Sequence, residues 1–184
     1  MERARHSPGG VLEFWFQETA AEQWWSQSET FDRLIASRFG DLLAAAGRCE
    51  LYGWRETAGG RLAEILVLDQ FSRNIHRNDP RAFASDPLAL ALAQTAIALG
   101  ADLELPQAQR AFLYMPFMHS ESPLIHELAL SLFKQEGLGG ALEFELRHKA
   151  IIDRFGRYPH RNAILGRPST PEEIEFLKTP GSSF

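Results

Sequence analysis

From Leu62 to Phe71 the chain reads Leu-Ala-Glu-Ile-Leu-Val-Leu-Asp-Gln-Phe, and this stretch leaves the rest of the molecule little freedom. Wound as a helix, it places Leu62, Ile65, Leu66, Val67, Leu68 and Phe71 on nearly every side. A helix without a solvent face is stable only when other elements surround it. The surrounding sequence offers helices for that purpose. Phe31, Leu34, Ile35, Phe39, Leu42 and Leu43 recur at three and four residues, predicting an apolar stripe from about Ser28 to Ala46. Phe144, His148, Ile151, Ile152 and Phe155 repeat the pattern. No run of alternating β-branched residues competes with it, so the chain reads as all-α.

Helix punctuation divides the chain. Asp86-Pro87 reads as a cap and first-turn proline for a helix closing at Gly100, and Ser122-Pro123 opens another that ends near Gly137. Thr170-Pro171-Glu172-Glu173 has the spacing of a capping box, as does Thr19-Ala20-Ala21-Glu22 ahead of Trp24-Trp25. Roughly eight helices joined by short loops fit antiparallel helical hairpins. No fixed repeat period emerges. The expected organisation is a flexible N-terminal arm over 1–10, one helical domain over 11–178, and a loose C-terminal tail over 179–184.

With 184 residues, 45% apolar and 23% charged, the chain can bury a sizeable core. The single cysteine, Cys49, allows no internal disulfide and no multi-cysteine zinc site. No stretch approaches the ~20 apolar residues of a membrane span, and no cleavage site follows Val11–Phe16. These features predict a cytoplasmic protein without a membrane partner. The formal charge of −5 argues against a nucleic-acid-coating role. Sixteen of the 19 basic residues are arginine, the better side chain for gripping carboxylate or phosphate with two bonds.

Four segments concentrate polar chemistry. Asp69 and Arg73 stand one turn apart on the apolar helix, a spacing that predicts a partly buried ion pair, with Asn74 beside them and Arg77 and Arg81 as spare cations. Pro116 interrupts a helical pattern just before His119 and Glu121, aiming those side chains from a bent segment. Two such groups suit a hydrogen-bonded pair better than a metal, and no motif supplies further ligands. His148 sits on an apolar stripe and reads as a core histidine, while Glu143/Arg147 and Glu145/Lys149 read as exposed helix pairs. Finally, Arg157-Tyr158-Pro159-His160-Arg161-Asn162 follows a helix-ending Gly156. Six basic residues against the one acid Asp153 lie between Arg147 and Arg167. That local excess would draw an anion. Phe14-Trp15-Phe16 and Trp24-Trp25 read as core, with one tryptophan available to line a pocket.

These segments together resemble a widespread, largely bacterial family of unknown function. The resemblance rests on Phe14-Trp15-Phe16, Leu68-Asp69-Gln70-Phe71 with Arg73-Asn74, Arg81-Ala82-Phe83, Pro116-Phe117-Met118-His119-Ser120-Glu121, and Arg157-Tyr158-Pro159-His160-Arg161-Asn162 with Leu165-Gly166-Arg167. It spans about Val11 to Leu177. It implies an all-helical, tetratricopeptide-like (TPR-like) α-α superhelix and brings no agreed activity, catalytic residues or cofactor. Ser72 stands where the family's pattern has proline.

No nucleophile elbow, phosphate-cradling loop or dinucleotide fingerprint is present, so the sequence names no reaction and no cofactor. The reading it supports is binding of a small anionic or phosphorylated ligand. Arg73, Arg157 and Arg161 would hold the anion, and Asn74 and Asn162 would orient it. Asp69 and Glu121 would balance charge, with His119 or His160 as acid/base. The alternative is a helical scaffold that binds a peptide or protein partner without catalysis.

Overall fold

The computed structural model describes residues 6–183. Every regular element among them is helical, and no helix is long and apolar enough to cross a membrane. By their contacts the residues form two compact units, Met1–Arg77 with Arg81–Pro116, and Asn78–Pro80 with Phe117–Phe184.

The first unit is built round the stretch that has no solvent face. Helix α1 (Pro8–Glu13) runs into a π-helical turn (Phe14–Glu18), and α2 (Glu29–Gly47) follows a one-turn 3-10 segment (Ala21–Trp24). Helix α3 (Ala58–Leu66) continues through a second π-helical turn (Val67–Phe71) and a final α-turn (Ser72–Ile75). It packs against α1, and with α4 (Asp86–Ala98), while α2 lies along the π-turn at its end. All residues from Leu62 to Asp69 are buried, as the all-round apolar pattern requires. Each large apolar side chain taken out of water there contributes about 1.5–3 kcal/mol. Glu64, completely buried on this helix, is matched by a two-pronged Arg55 at 2.7 Å on each oxygen.

In the second unit, α6 (Pro123–Phe133) and α7 (Gly139–Phe155) form an antiparallel-style pair in sequence and pack on each other. Helix α5 (Gln107–Met118) belongs to the first unit as far as Pro116, the proline inside it, and only Phe117 and Met118 fall in the second. A 3-10 turn (Pro159–Arg161) and a short helix α8 (Pro171–Phe176) complete the unit. Gly156 ends α7 in the left-handed conformation, φ 66°, that an L side chain resists.

Several boundaries differ from the sequence reading, each for a local reason. The expected arm over 1–10 lies outside the described residues as far as residue 5. Beyond it, Ser7 caps α1 and Pro8 is already helical. Thr19 does not cap the next helix; its backbone and hydroxyl both donate to Phe14 O, closing the π-turn behind it. Asp86 is the first residue of α4 rather than its cap, and its carboxylate is spent on Arg73. The helix from Pro123 ends at Phe133, short of Gly137. In the tail, the hydroxyls of Thr179 and Ser182 donate to the carbonyls of Phe176 and Leu177, and Phe184 lies outside the described residues. Thr170 and Glu173 form the capping box as their spacing indicates.

Two glycines separate crowding from propensity. A Cβ on Gly60 would stand 1.9 Å from the Trp54 carbonyl oxygen, an impossible approach to rigid backbone. Gly140, in the first turn of α7, has nothing within 4 Å of that position. Gly60→Ala is expected to lower stability by at least about 2 kcal/mol, and Gly140→Ala to raise it by roughly 0.5 kcal/mol. Urea-unfolding midpoints of the two variants against wild type check this; equal midpoints would refute the crowding argument.

Candidate functional site

Asp69, Arg73 and Asn74 fall in the first unit; His119, Glu121, Arg157, His160, Arg161 and Asn162 fall in the second. In the first, every one of the three is engaged by neighbouring protein groups. Arg73 donates to Asp69 O at 2.7 Å and to both oxygens of Asp86 at 2.9 Å, and its guanidinium lies 3.2 Å from Asp69 Oδ1. Gln70 donates to the other Asp69 oxygen. Asn74 and Arg77 share Asp32, so Arg77 is a committed partner rather than a spare cation. Burial pushes the Asp32 carboxyl up, but the Arg77 and Asn74 bonds outweigh it and hold it low. Ser72, in place of proline, is buried and its hydroxyl bridges Leu68 O and Ala82 O.

The polar loop of the second unit is likewise tied down from within. Glu121 accepts the Tyr158 backbone N–H at 2.7 Å and both Arg167 prongs at 2.6 and 2.9 Å. Burial raises its carboxyl, while Arg167, the Tyr158 N–H and the charge of Arg161 win and lower it. Arg167 also reaches the Asn162 side-chain oxygen, and the Asn162 amide donates to Ser169. Arg157 grips both oxygens of Glu173, whose carboxyl is pulled down to about 2 by that bond and by the Thr170 N–H. Arg157, expected to hold the anion, and Asn162, expected to orient it, therefore fasten the loop.

Arg161, His148 and His160 are gathered around Tyr158. Its ring is fully buried and carries the Arg161 guanidinium at 4.5 Å from the centroid. The His148 and His160 rings stand 5.7 and 5.5 Å away, and His119 lies 6.5 Å from His148. His148 Nδ1 is 2.8 Å from the Phe144 carbonyl, which can only accept, so Nδ1 bears the hydrogen and Nε2 is the acceptor nitrogen. Burial depresses this imidazole to about 3, aided by the charges of His119, His126 and Arg161.

Beneath the tyrosine lies a group of residues that sequence reasoning missed. Tyr158 O–H donates to Met118 O at 2.6 Å, so its oxygen faces His126 Nε2, 3.3 Å away, as an acceptor. Nε2 bears the hydrogen, since Ser120 O also accepts from it at 2.8 Å. The remaining nitrogen, Nδ1, meets Glu145 Oε1 at 2.7 Å, with both residues fully buried. One proton lies between them, and burial pushes the Glu145 carboxyl up against the lowering effect of the His126 bond. Glu145 Oε2 has no partner, which a neutral acid tolerates better than a carboxylate.

Glu145 is thus not the exposed partner of Lys149, which pairs with Glu127 and Asp153 instead. Glu143 and Arg147 do form the expected exposed pair. A signal was present: Glu145, His148 and Ile152 share one helical face, as do His126, Ala129 and Phe133, so acid and imidazole both sit on buried stripes. Among the described residues no three His, Cys, Asp or Glu side chains are arranged to hold a metal ion.

Residues 11–181 match the model of a family described as bacterial protein of unknown function (DUF924). The fold is similar to that of a protein of unknown function from Agrobacterium tumefaciens, ATU0120. The two are 38% identical, with a TM-score of 0.88 over 93% of this chain and 96% of that one. No protein of curated function matches the sequence.

The neutral His148 makes stability depend on pH. Its folded value lies below the ordinary 6.5, so the unfolded chain takes the proton first. The contribution is complete above pH 6.5 and is lost as pH falls toward 3. His148→Gln should flatten that loss by up to about 1.4 kcal/mol per pH unit. Urea unfolding of both proteins at pH 7, 6 and 5 reads the difference, and parallel pH profiles would refute it.

Proposed function

The chain belongs to the DUF924 family of bacterial proteins of unknown function, and we propose that its second unit binds a small anion, of phosphate or carboxylate type, beside Tyr158. One observation carries this reading. Arg161, His148 and His160 stand against the tyrosine ring, with His119 beside His148, while the acids Glu121, Glu173 and Glu145 of the same unit pair with Arg167, Arg157 and His126. The groups set against the ring are a guanidinium and imidazoles rather than carboxylates. Stacking on Tyr158 fixes the plane of the Arg161 fork, which suits a two-oxygen ligand. His148, kept neutral by burial, would accept a hydrogen bond from a protonated phosphate oxygen. His119 and His160, both part-exposed, supply the acid/base pair if a reaction follows binding.

Arg73, Asn74 and Asp69 have no part in this reading, because their partners within the first unit account for them. A second reading, a TPR-like scaffold for a protein partner, is favoured by Leu124 and Leu128, one turn apart on α6 and 70% and 49% exposed.

A thermal-shift series with inorganic phosphate, phosphorylated metabolites, nucleotides and carboxylic acids tests the proposal. A ligand at about a hundred times its Kd should add about 2.7 kcal/mol of stability. That ligand-induced shift is expected to vanish in Arg161→Ala and to persist in Arg73→Ala, whatever either change does to the unliganded Tm. A shift that survives Arg161→Ala would sink the assignment, and no shift with any anion would favour the scaffold.

A further inference from the structure

Glu145 stands where an acid lowers stability. It is 0% exposed, and of its two oxygens only Oε1 meets a hydrogen-bonding group, His126 Nδ1 at 2.7 Å. An apolar side chain would fill such a place without leaving an oxygen unmet. What the acid gains for the fold lies on the far side of the imidazole. A bond at one ring nitrogen fixes what the other nitrogen presents. With Nδ1 turned to Glu145, Nε2 carries a hydrogen toward Ser120 O at 2.8 Å and Tyr158 Oη at 3.3 Å. The tyrosine hydroxyl passes its own hydrogen to Met118 O at 2.6 Å.

The two carbonyls at the end of these bonds belong to Met118 and Ser120, the residues on either side of His119. The ring in the middle carries Arg161. Its guanidinium lies 4.5 Å from the ring centroid, and the Arg161 N–H donates to the Tyr158 carbonyl at 3.0 Å. One buried acid is thereby connected to the segment that bears His119 and to the ring that bears Arg161. We propose that Glu145 is a positioning residue for the anion site: through the hydrogen it places on His126 Nε2, it holds His119 and Arg161 in register with each other. This role rests on the anion reading for its functional sense, and on the hydrogen bonds alone for its geometry. It requires a hydrogen-bonding group at 145, not a charged one.

The full chain and its Glu145→Gln and Glu145→Leu variants are compared in two measurements. Proton–nitrogen magnetic resonance reads which nitrogen of His126 bears hydrogen and whether the His119 and Arg161 signals move. Titration with inorganic phosphate and with acetate reads affinity. Wild type is expected to carry hydrogen on Nε2. Glu145→Gln should keep that pattern and bind as wild type does, because its amide N–H can meet Nδ1. Glu145→Leu should lose the pattern, shift the His119 and Arg161 signals and bind about tenfold more weakly, the effect of one hydrogen bond. All are measured well below their unfolding temperatures, so a change in stability alone leaves affinity where it was. Should Glu145→Leu not fold, Tyr158→Phe keeps the ring without its hydroxyl, and the same weakening is expected of it. A wild-type His126 with hydrogen on Nδ1 alone, an anion held equally well by wild type and Glu145→Leu, or a Gln variant as weak as the Leu variant would each overturn the proposal. If neither anion binds wild type, yet the His119 and Arg161 signals move in Glu145→Leu and not in Glu145→Gln, the anion reading falls and the positioning link stands. If those signals also stay still, both fall.

Discussion

Glu64 and Asp69 are carried into the first unit by a helix that has no side facing water, and much of that unit's construction follows from having to answer them. An acid buried at such a place is tolerable only beside a cation that is itself held in position. Arg55 is delivered to Glu64 by the 3-10 segment Tyr52–Glu56, which closes over the start of α3. Its tight approach leaves no room for a Cβ on Gly60. Arg73 is delivered to Asp69 from the next turn of the same chain and is anchored at its far side by Asp86 at the start of α4. The same residues therefore set the polar balance and the seating of α4. Leu62–Leu68 provide the energy of burial; the ion pairs determine which elements stand where.

The second unit solves the same problem three times over. Glu121, Glu145 and Glu173 each meet a different kind of partner: a guanidinium with a backbone N–H, an imidazole, and a guanidinium at a helix cap. The Glu145–His126 pair differs from the others because it shares a proton instead of opposing full charges. It is also connected through His126 to Tyr158, the ring on which Arg161 rests. A neutral buried pair can hold that ring without adding a negative charge beside the arginine.

Helix placement was legible in the sequence because it depends on short-range patterns. The all-round apolar run, the α2 stripe and the Thr170 cap can each be read within a dozen residues. The two π-turns were not legible, since an inserted residue shifts the helical face without changing composition. Site residues divided on the same principle. The i, i+4 relation of Asp69 and Arg73 was visible, but Asp86, Asp32 and Arg55 meet their partners across separate elements. His126 was overlooked and Glu145 misread as an exposed partner because a polar residue on a buried stripe has two meanings, and its partner lies on another helix. Their interpretation requires the packing of α6 on α7.

The basic stretch from Arg147 to Arg167 shows how a local charge count can mislead. Its excess is large along the chain, yet Arg147 answers Glu143, Lys149 answers Glu127 and Asp153, and Arg154 answers Glu172. Arg157 answers Glu173 and Arg167 answers Glu121. Five of these six acids lie outside the counted window in sequence and come back to it through the fold. Neutralisation is therefore tertiary, and the field of the window is far weaker than its composition suggests. Arg161 is distinguished by position rather than by membership of a cluster: it is buried against an aromatic face, among imidazoles, in a loop whose other arginines are spent on holding it still. A guanidinium in so fixed a setting loses little freedom on meeting a ligand, and the proposed anion binding rests on that pre-organisation more than on the count of charges.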